Sequence, residues 1–167
     1  MCIRDRSWCI GVTERDDELV IIYDRNKCTG CMMCMIACSY KHFGVVDLNK
    51  SLRQINYSIE DGYYCAYCVH CDDPMCMASC PSNAIYIDEK NGWVLKNQYK
   101  CIGCKNCVYA CPYSNPWYDE VNGVTWKCDF CDGNPECVRV CPSNATVIVT
   151  RGEARKFYFE RLVKAYV

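Results

Sequence analysis

Apolar residues along this chain come in short runs and brief alternations, and no periodicity persists over more than a few positions except near the C-terminal end. Leu19 to Tyr23 (LVIIY) is a continuous apolar run of strand length. Leu52, Ile55, Tyr57 and Ile59 sketch a further strand. Ile85 and Ile87 alternate with polar neighbours, Asn91-Gly92 supplies a type I′ turn, and Trp93 to Leu95 returns, which predicts a hairpin. Ala145 to Thr150 (ATVIVT) reads as a closing strand. In the tail GEARKFYFERLVKAYV, Ala154, Tyr158, Leu162 and Tyr166 fall at helical spacing and predict a helix packed on the body or on a partner. No run of eighteen apolar residues occurs, so no transmembrane segment is expected. The mixture predicts an α+β chain of small elements.

Cysteine fills the intervals. Sixteen of the nineteen cysteines form four groups: CTGCMMCMIAC (Cys28, Cys31, Cys34, Cys38), CVHCDDPMCMASCP (Cys68, Cys71, Cys76, Cys80), CIGCKNCVYACP (Cys101, Cys104, Cys107, Cys111) and CDFCDGNPECVRVCP (Cys128, Cys131, Cys137, Cys141). Two residues between cysteines let a tight turn present both sulfurs to one metal cube, while the last cysteine of each group points elsewhere as a helix begins. Proline after that cysteine suits the departure of the chain, because its φ is fixed and it has no N–H. Gly30 and Gly103 precede ligand positions, where a missing side chain lets backbone N–H groups approach sulfur. The grouping resembles that of bacterial ferredoxins, in which three cysteines hold one 4Fe-4S cluster and the fourth reaches to another. Four 4Fe-4S clusters are therefore expected.

Composition supports a metal core. Ile, Leu, Val and Phe number 35 of 167 residues, close to the level at which a chain struggles to bury enough apolar surface. The clusters must act as the core, and the apo chain should be largely unfolded. An odd cysteine total at metal-ligand spacing favours a reducing, cytoplasmic setting over a disulfide scaffold. The formal charge of −1 omits the metal sites. With about −2 for each oxidised cluster and its thiolates, the loaded chain is strongly acidic, and no affinity for nucleic acid is expected. Lys105 and Lys127 stand isolated rather than forming a basic patch, and the Cys-Pro endings disfavour zinc. The nine glycines form neither G-x-G-x-x-G nor a Walker A string, and no nucleophile–base pair is apparent. The chain should conduct electrons, with catalysis left to a partner.

The four-group pattern, over about residues 19–150, resembles the 4Fe-4S dicluster-domain electron-transfer subunits of molybdenum and tungsten oxidoreductases. KCDFCDGNPECVRVCP, with five residues between Cys131 and Cys137, and ACSYKHFGVVDLNKSLRQI after the first group are similar to the small iron-sulfur subunits of tungsten-dependent aldehyde oxidoreductases and benzoyl-CoA reductase complexes. The resemblance implies two nested ferredoxin-like units and a crossing ligand set. Cys28, Cys31 and Cys34 would join Cys141, and Cys128, Cys131 and Cys137 would join Cys38. In the inner unit Cys68, Cys71 and Cys76 would join Cys111, and Cys101, Cys104 and Cys107 would join Cys80. Spacing alone equally permits the first group with the second and the third with the fourth. The implied partners are a large tungsten or molybdenum pterin catalytic subunit and a ferredoxin or flavoprotein. The alternative is a free-standing polyferredoxin, or a subunit serving a hydrogenase, formate dehydrogenase or carbon monoxide dehydrogenase. Ser39 stands where proline could follow Cys38, and Ser-Asn-Ala follows two of the Cys-Pro pairs where many ferredoxins have a glycine.

The same resemblance sets the domain boundaries: an outer unit of 18–64 plus 112–150, an inner unit of 65–111, and a C-terminal helix over 151–167. Residues 7–17 read as an N-terminal extension. Residues 1–6 (MCIRDR) match the translation of a sequencing-adapter string and are expected to be a scar, with the true N-terminus upstream. Cys65 lies three before Cys68 and competes for ligation in a shifted register. His70, between two ligands, is expected to be a satisfied neighbour of a cluster or a donor to its sulfide. Tyr64, Tyr67, Tyr109, Tyr113 and Trp117 flank ligand positions and are expected to shield clusters from water.

Overall fold

Short apolar runs separated by cysteine turns give short strands and one-turn helices. The computed structural model describes residues 15–60 and 62–166, apart from the side chains of 162 and 164–166; the expected scar and most of the extension lie outside these residues. In chain order the elements are β1 (Leu19–Tyr23), α1 (Met33–Phe43), β2 (Gln54–Ser58), β3 (Gly62–Ala66), α2 (Met75–Ala78), β4 (Ile85–Ile87), β5 (Val94–Lys96), α3 (Asn106–Ala110), β6 (Trp117–Asp119), β7 (Val124–Trp126), α4 (Glu136–Arg139), β8 (Thr146–Thr150) and α5 (Arg151–Tyr166). This is the expected α+β chain of ferredoxin-like character.

Among the described residues the four sheets are two-stranded and antiparallel: β1 with β8, β2 with β3, β4 with β5, and β6 with β7. β1 and β8 pair along their full length, Leu19 opposite Thr150 and Tyr23 opposite Thr146, so the two ends of the cysteine-bearing region are fastened together. LVIIY is apolar throughout because both faces of β1 are covered. Ile21 packs with Trp93, Phe130 and Cys137 on the inner side. Val20 and Ile22 pack with Ala154 of α5 on the outer side, alongside Val147, Val149 and Phe157. Isolated two-stranded ladders are marginal in water, so they depend on what they enclose.

The hairpin over 85–96 forms with a different turn from the expected one. Type I′ needs positive φ at both central residues, whereas only Gly92, at φ 68°, adopts it among the loop residues. Asn91 instead donates from its side-chain amide to Asp88 (2.8 Å), in a longer loop closed by Asp88 and Trp93. The strand sketched from Leu52 to Ile59 is narrower than its apolar residues. Leu52 is buried before β2 begins, and Ile59 is exposed beyond its end.

α5 is the expected C-terminal helix, docked by Ala154 and by charge. Arg151 pairs with Glu18 (3.0 Å) and Arg155 with Asp72 (3.0 Å). The Tyr158 hydroxyl shares a hydrogen bond with that of Tyr67. Thr150 and Glu153 start the helix with a reciprocal cap. The Thr150 N–H donates to the Glu153 carboxylate (2.8 Å) and the Glu153 N–H to the Thr150 hydroxyl (3.3 Å).

Candidate metal centres

Each cysteine group is folded by the same local device. Its third cysteine sits on a helix: Cys34 on α1, Cys76 on α2, Cys107 on α3 and Cys137 on α4. The residue before its second cysteine has positive φ: Gly30 and Gly103 at 69°, His70 at 47° and Phe130 at 62°. Glycine is required where neighbours crowd. A Cβ at Gly30 would strike the Tyr63 ring, and one at Gly103 the Gly123 carbonyl oxygen. His70 and Phe130 accept the left-handed conformation because both are fully buried against each other, ring centroids 5.7 Å apart, with Trp93 stacked on Phe130 at 4.4 Å.

The Cys-Pro endings form one repeated turn. The N–H groups of Asn83, Ser114 and Asn144 donate to the carbonyls of Cys80, Cys111 and Cys141 at 3.3–3.4 Å, which places each proline at the turn position that favours its φ. The fourth residue of each turn has φ 49–50°. Asparagine in two of the turns and Ser114 in the third thus occupy the left-handed position that glycine fills in many ferredoxins. The turn also aims backbone N–H groups back at sulfur, Ala84 donating to Cys80 at 3.3 Å. At Cys38, with no proline, the Leu52 N–H takes that part at 3.3 Å, and buried Ser39 holds the following loop by accepting from the Asp47 N–H.

These turns bring the cysteines together in quartets that mix groups distant in sequence. Cys28, Cys31, Cys34 and Cys141 line one cavity with Tyr23, Met32 and Ile55. Cys38, Cys128, Cys131 and Cys137 line a second with Ile21, Arg53, Tyr67 and Cys68. Cys68, Cys71 and Cys111 lie within electrostatic reach of Cys76, and Cys80 and Cys101 within reach of Cys107. Cys104 is exposed on the turn between Cys101 and Cys107. We refer to these as the first, second, third (Cys68, Cys71, Cys76, Cys111) and fourth (Cys101, Cys104, Cys107, Cys80) quartets.

The quartets follow one another in a row. Cys34 of the first faces Cys137 of the second, where α1 packs on α4. Cys128 of the second faces Cys68 of the third. Cys76 of the third and Cys107 of the fourth share a core with Ile85 and Val94, where α2 packs on α3. Cys31 and Cys104, of the first and third cysteine groups, are the exposed cysteines among the described residues.

Four soft thiol donors around one space are the donor set of a 4Fe-4S cube. Burial pushes the thiols of Cys34 and Cys131 up to about 12 and that of Cys76 up to about 11. Such sulfurs become thiolates only when a metal centre replaces the proton. Cys101 behaves differently: burial raises it, but N–H groups of Thr125 and Gly103 more than offset this and bring it to about 7. The glycine before Cys104 thus turns its N–H onto a neighbouring sulfur, as the sequence implied.

Four polar residues beside the quartets were not legible as such. Arg53 is buried and donates to the Cys65 thiol (3.1 Å) and the Thr146 hydroxyl (3.0 Å). Lys127, isolated in sequence, is buried with its ammonium 3.2 Å from the Cys68 sulfur and 3.3 Å from the Cys128 carbonyl. His42 lies 3.7 Å from the Cys131 sulfur and 3.6 Å from Asp129; its signal is its position one helical turn beyond Cys38. Thr125, wholly buried, has its hydroxyl 3.5–3.6 Å from Cys101 and Cys107. His70 accepts the Val94 N–H at Nδ1 (3.1 Å), so its neutral ring carries the proton on buried Nε2, which has no partner among the described residues. Burial, with Lys127 and Arg151 nearby, holds that imidazole well below its ordinary value. Cys65 sits on β3 beside Cys28 and Cys34 as a recipient of the Arg53 hydrogen bond. Of the flanking aromatics, Tyr67 lines the second cavity, whereas Tyr109 is largely exposed and shields little.

The chain resembles known 4Fe-4S proteins. The family model described as "4Fe-4S dicluster domain" matches residues 59–151, and that described as "4Fe-4S binding domain" matches 20–45. The polyferredoxin-like subunit of aliphatic sulfonate oxidoreductase from Pyrococcus furiosus is 37% identical over 87% of this chain and 85% of its own length. A subunit of the anaerobic dimethyl sulfoxide reductase from Escherichia coli is 36% identical over 80% of this chain and 74% of its own. The beta subunit of NADH-dependent phenylglyoxylate dehydrogenase from Aromatoleum evansii is 37% identical over 78% of this chain, which spans only 30% of that protein. Among solved structures, a polypeptide of the BamBC active-site complex of benzoyl coenzyme A reductase is 22% identical, with a TM-score of 0.47 over 87% of this chain and 89% of that one.

Proposed function

On the premise that the chain belongs to the 4Fe-4S dicluster-domain family of electron-transfer subunits of oxidoreductase complexes, we propose that its sixteen grouped cysteines hold four clusters in a row. In this reading the row relays electrons between a catalytic subunit and a soluble carrier. The observation that carries it is the exchange of fourth cysteines: Cys141 stands with the first group and Cys38 with the last. Each bound cluster supplies a one-electron redox centre held by four thiolates. The chain's own residues fix those thiolates on short helices, turn backbone N–H groups onto their sulfurs, and keep water out with Phe130, Trp93 and Ile21. It has no catalytic role of its own.

The exposed ends give the row its two contacts. Cys104 is flanked by exposed Ile102 and Tyr109, and Cys31 by exposed Met33. Exposed apolar residues at a redox terminus suit docking of a protein rather than contact with water. One terminus would meet a large tungsten or molybdenum pterin subunit, and the other a ferredoxin or flavoprotein. No helix among the described residues is long and apolar enough to cross a membrane; the wealth of free thiols suits a reducing cytoplasm.

Metal analysis of the natively expressed, anaerobically purified protein with whatever accompanies it tests this. About sixteen irons per chain, together with a large subunit carrying tungsten or molybdenum, is the expected result. Sixteen irons and no large subunit would make it a free polyferredoxin. Zinc in place of iron would overturn the proposal.

A further inference from the structure

Two cations are buried inside the row of quartets, one in each of two successive gaps. Arg53 is 4% exposed and stands between the first and second quartets, at the wall of the second cavity, its guanidinium 5.6 Å from the centre of the Tyr67 ring and with Cys65, Cys137 and Cys34 around it. Its Nε is buried with no hydrogen-bond partner among the described residues. Lys127 is 6% exposed and stands between the second and third quartets, facing Cys68, Cys128 and Cys76. A buried cation without an anionic partner is costly. Neither forms an ion pair with a carboxylate among the described residues: Arg53 donates to the Cys65 sulfur and the Thr146 hydroxyl, and Lys127 to the Cys68 sulfur and the Cys128 carbonyl. The thiolates of bound clusters, at Cys34 and Cys137 beside Arg53 and at Cys68 and Cys128 beside Lys127, would supply the anionic partners.

Resting on the four-cluster reading, we propose that Arg53 and Lys127 are positioning residues that make the cluster of the second quartet the most easily reduced of the four. An added electron makes a cluster and its thiolates more negative, so a cation held close in a dry interior favours the reduced form. Arg53 lines the second cavity and faces Cys34 of the first quartet and Cys137 of the second, and Lys127 lies 3.2 Å from the Cys68 sulfur of the third and 3.3 Å from the Cys128 carbonyl of the second, so the second quartet has both cations against it. Asp129 lies beside Cys131 and opposes the effect, but it is 42% exposed and paired with His42, so solvent screens it. Lys96 of the fourth quartet's surroundings is hydrogen-bonded toward Cys101 as well as to Gln98 and the Thr125 carbonyl, but it is only half-buried, so solvent screens its charge more than that of Arg53 or Lys127. The row therefore has an electron sink second from one end, between a terminus and the inner pair.

The test is a redox titration with dithionite of the full, anaerobically purified iron-loaded chain, followed by electron paramagnetic resonance. Cys131→Ser identifies the second quartet's signal as the one it alters. In the wild type that signal should appear first as the potential is lowered. Arg53→Gln and Lys127→Met should each lower its reduced-to-oxidised ratio at fixed potential at least tenfold, which is 59 mV for a one-electron couple. Arg53→Gln should also shift the first quartet's signal but not the fourth's, and Lys127→Met the third's but not the first's. Arg53→Lys should restore the wild-type order. The proposal is overturned if the signal altered by Cys131→Ser is not the first to appear, or if it stays put in both neutral variants at wild-type iron content. Should those variants fail to load iron, the wild-type order still decides. A wild-type chain holding markedly fewer than about sixteen irons would overturn the four-cluster reading itself, and so is told apart by analysis before titration.

Discussion

Asn83 and Asn144 hold left-handed φ three residues after a cluster-ending cysteine, where the turn aims N–H groups at sulfur. Asparagine tolerates that conformation and glycine adopts it freely, but a β-branched side chain does not. Asn144→Gly should leave stability nearly unchanged, and Asn144→Val should cost about 1–2 kcal/mol or more, read as a lower denaturant midpoint of the iron-loaded protein. The reciprocal cap at Thr150 and Glu153 makes a second residue-scale prediction. Thr150→Ala should cost about 1 kcal/mol of helix anchoring. The hydrogen bonds that Glu153 accepts from Thr150 hold its carboxyl below the ordinary carboxylate range. A depressed folded value means that its stabilisation is present above the unfolded value and fades as pH falls through the folded one. Amide exchange in the first turn of α5 should therefore accelerate as the pH drops below about 4, and Glu153→Gln should abolish that dependence.

Among the elements, β1 is fixed by both of its faces, and Ile21 is the residue that reaches the middle of the row. Ile21→Ala should destabilise the loaded protein by about 2–5 kcal/mol in equilibrium unfolding, more than the same change at exposed Ile148 across the ladder. The strands over 19–23 and 146–150 and the C-terminal helix were legible in sequence because each carries its own apolar pattern. The cysteine groups were legible because metal-ligand spacing is a local signal. β3 and the β6–β7 hairpin were not, since three- to five-residue strands of tyrosine, tryptophan and polar residues carry no distinctive period. The Asn91-Gly92 turn misled because Asp88, a neighbour with its own hydrogen bonds to offer, captured the asparagine side chain. Arg53 and Lys127 were illegible for another reason. A buried cation and a solvated one look alike in sequence, and only the fold shows that thiols from both ends of the chain enclose them.

At the scale of the whole molecule, the core is assembled around sulfur. Three of the four buried apolar clusters contain or touch grouped cysteines, and the strands around them are paired only in twos. Stripping iron with an oxidant and chelator should therefore abolish near-ultraviolet circular dichroism and cooperative unfolding together, not just the visible iron-sulfur absorption. Whether the quartets exchange their fourth cysteines and stand in a row is read from the positions of the irons in crystals of the anaerobically purified chain, located by anomalous scattering at the iron absorption edge. Four iron sites in sequence are expected, with Cys141 bound beside Cys28, Cys31 and Cys34, and Cys38 beside Cys128, Cys131 and Cys137. Irons joining the first cysteine group to the second, or fewer than four sites, would contradict this arrangement.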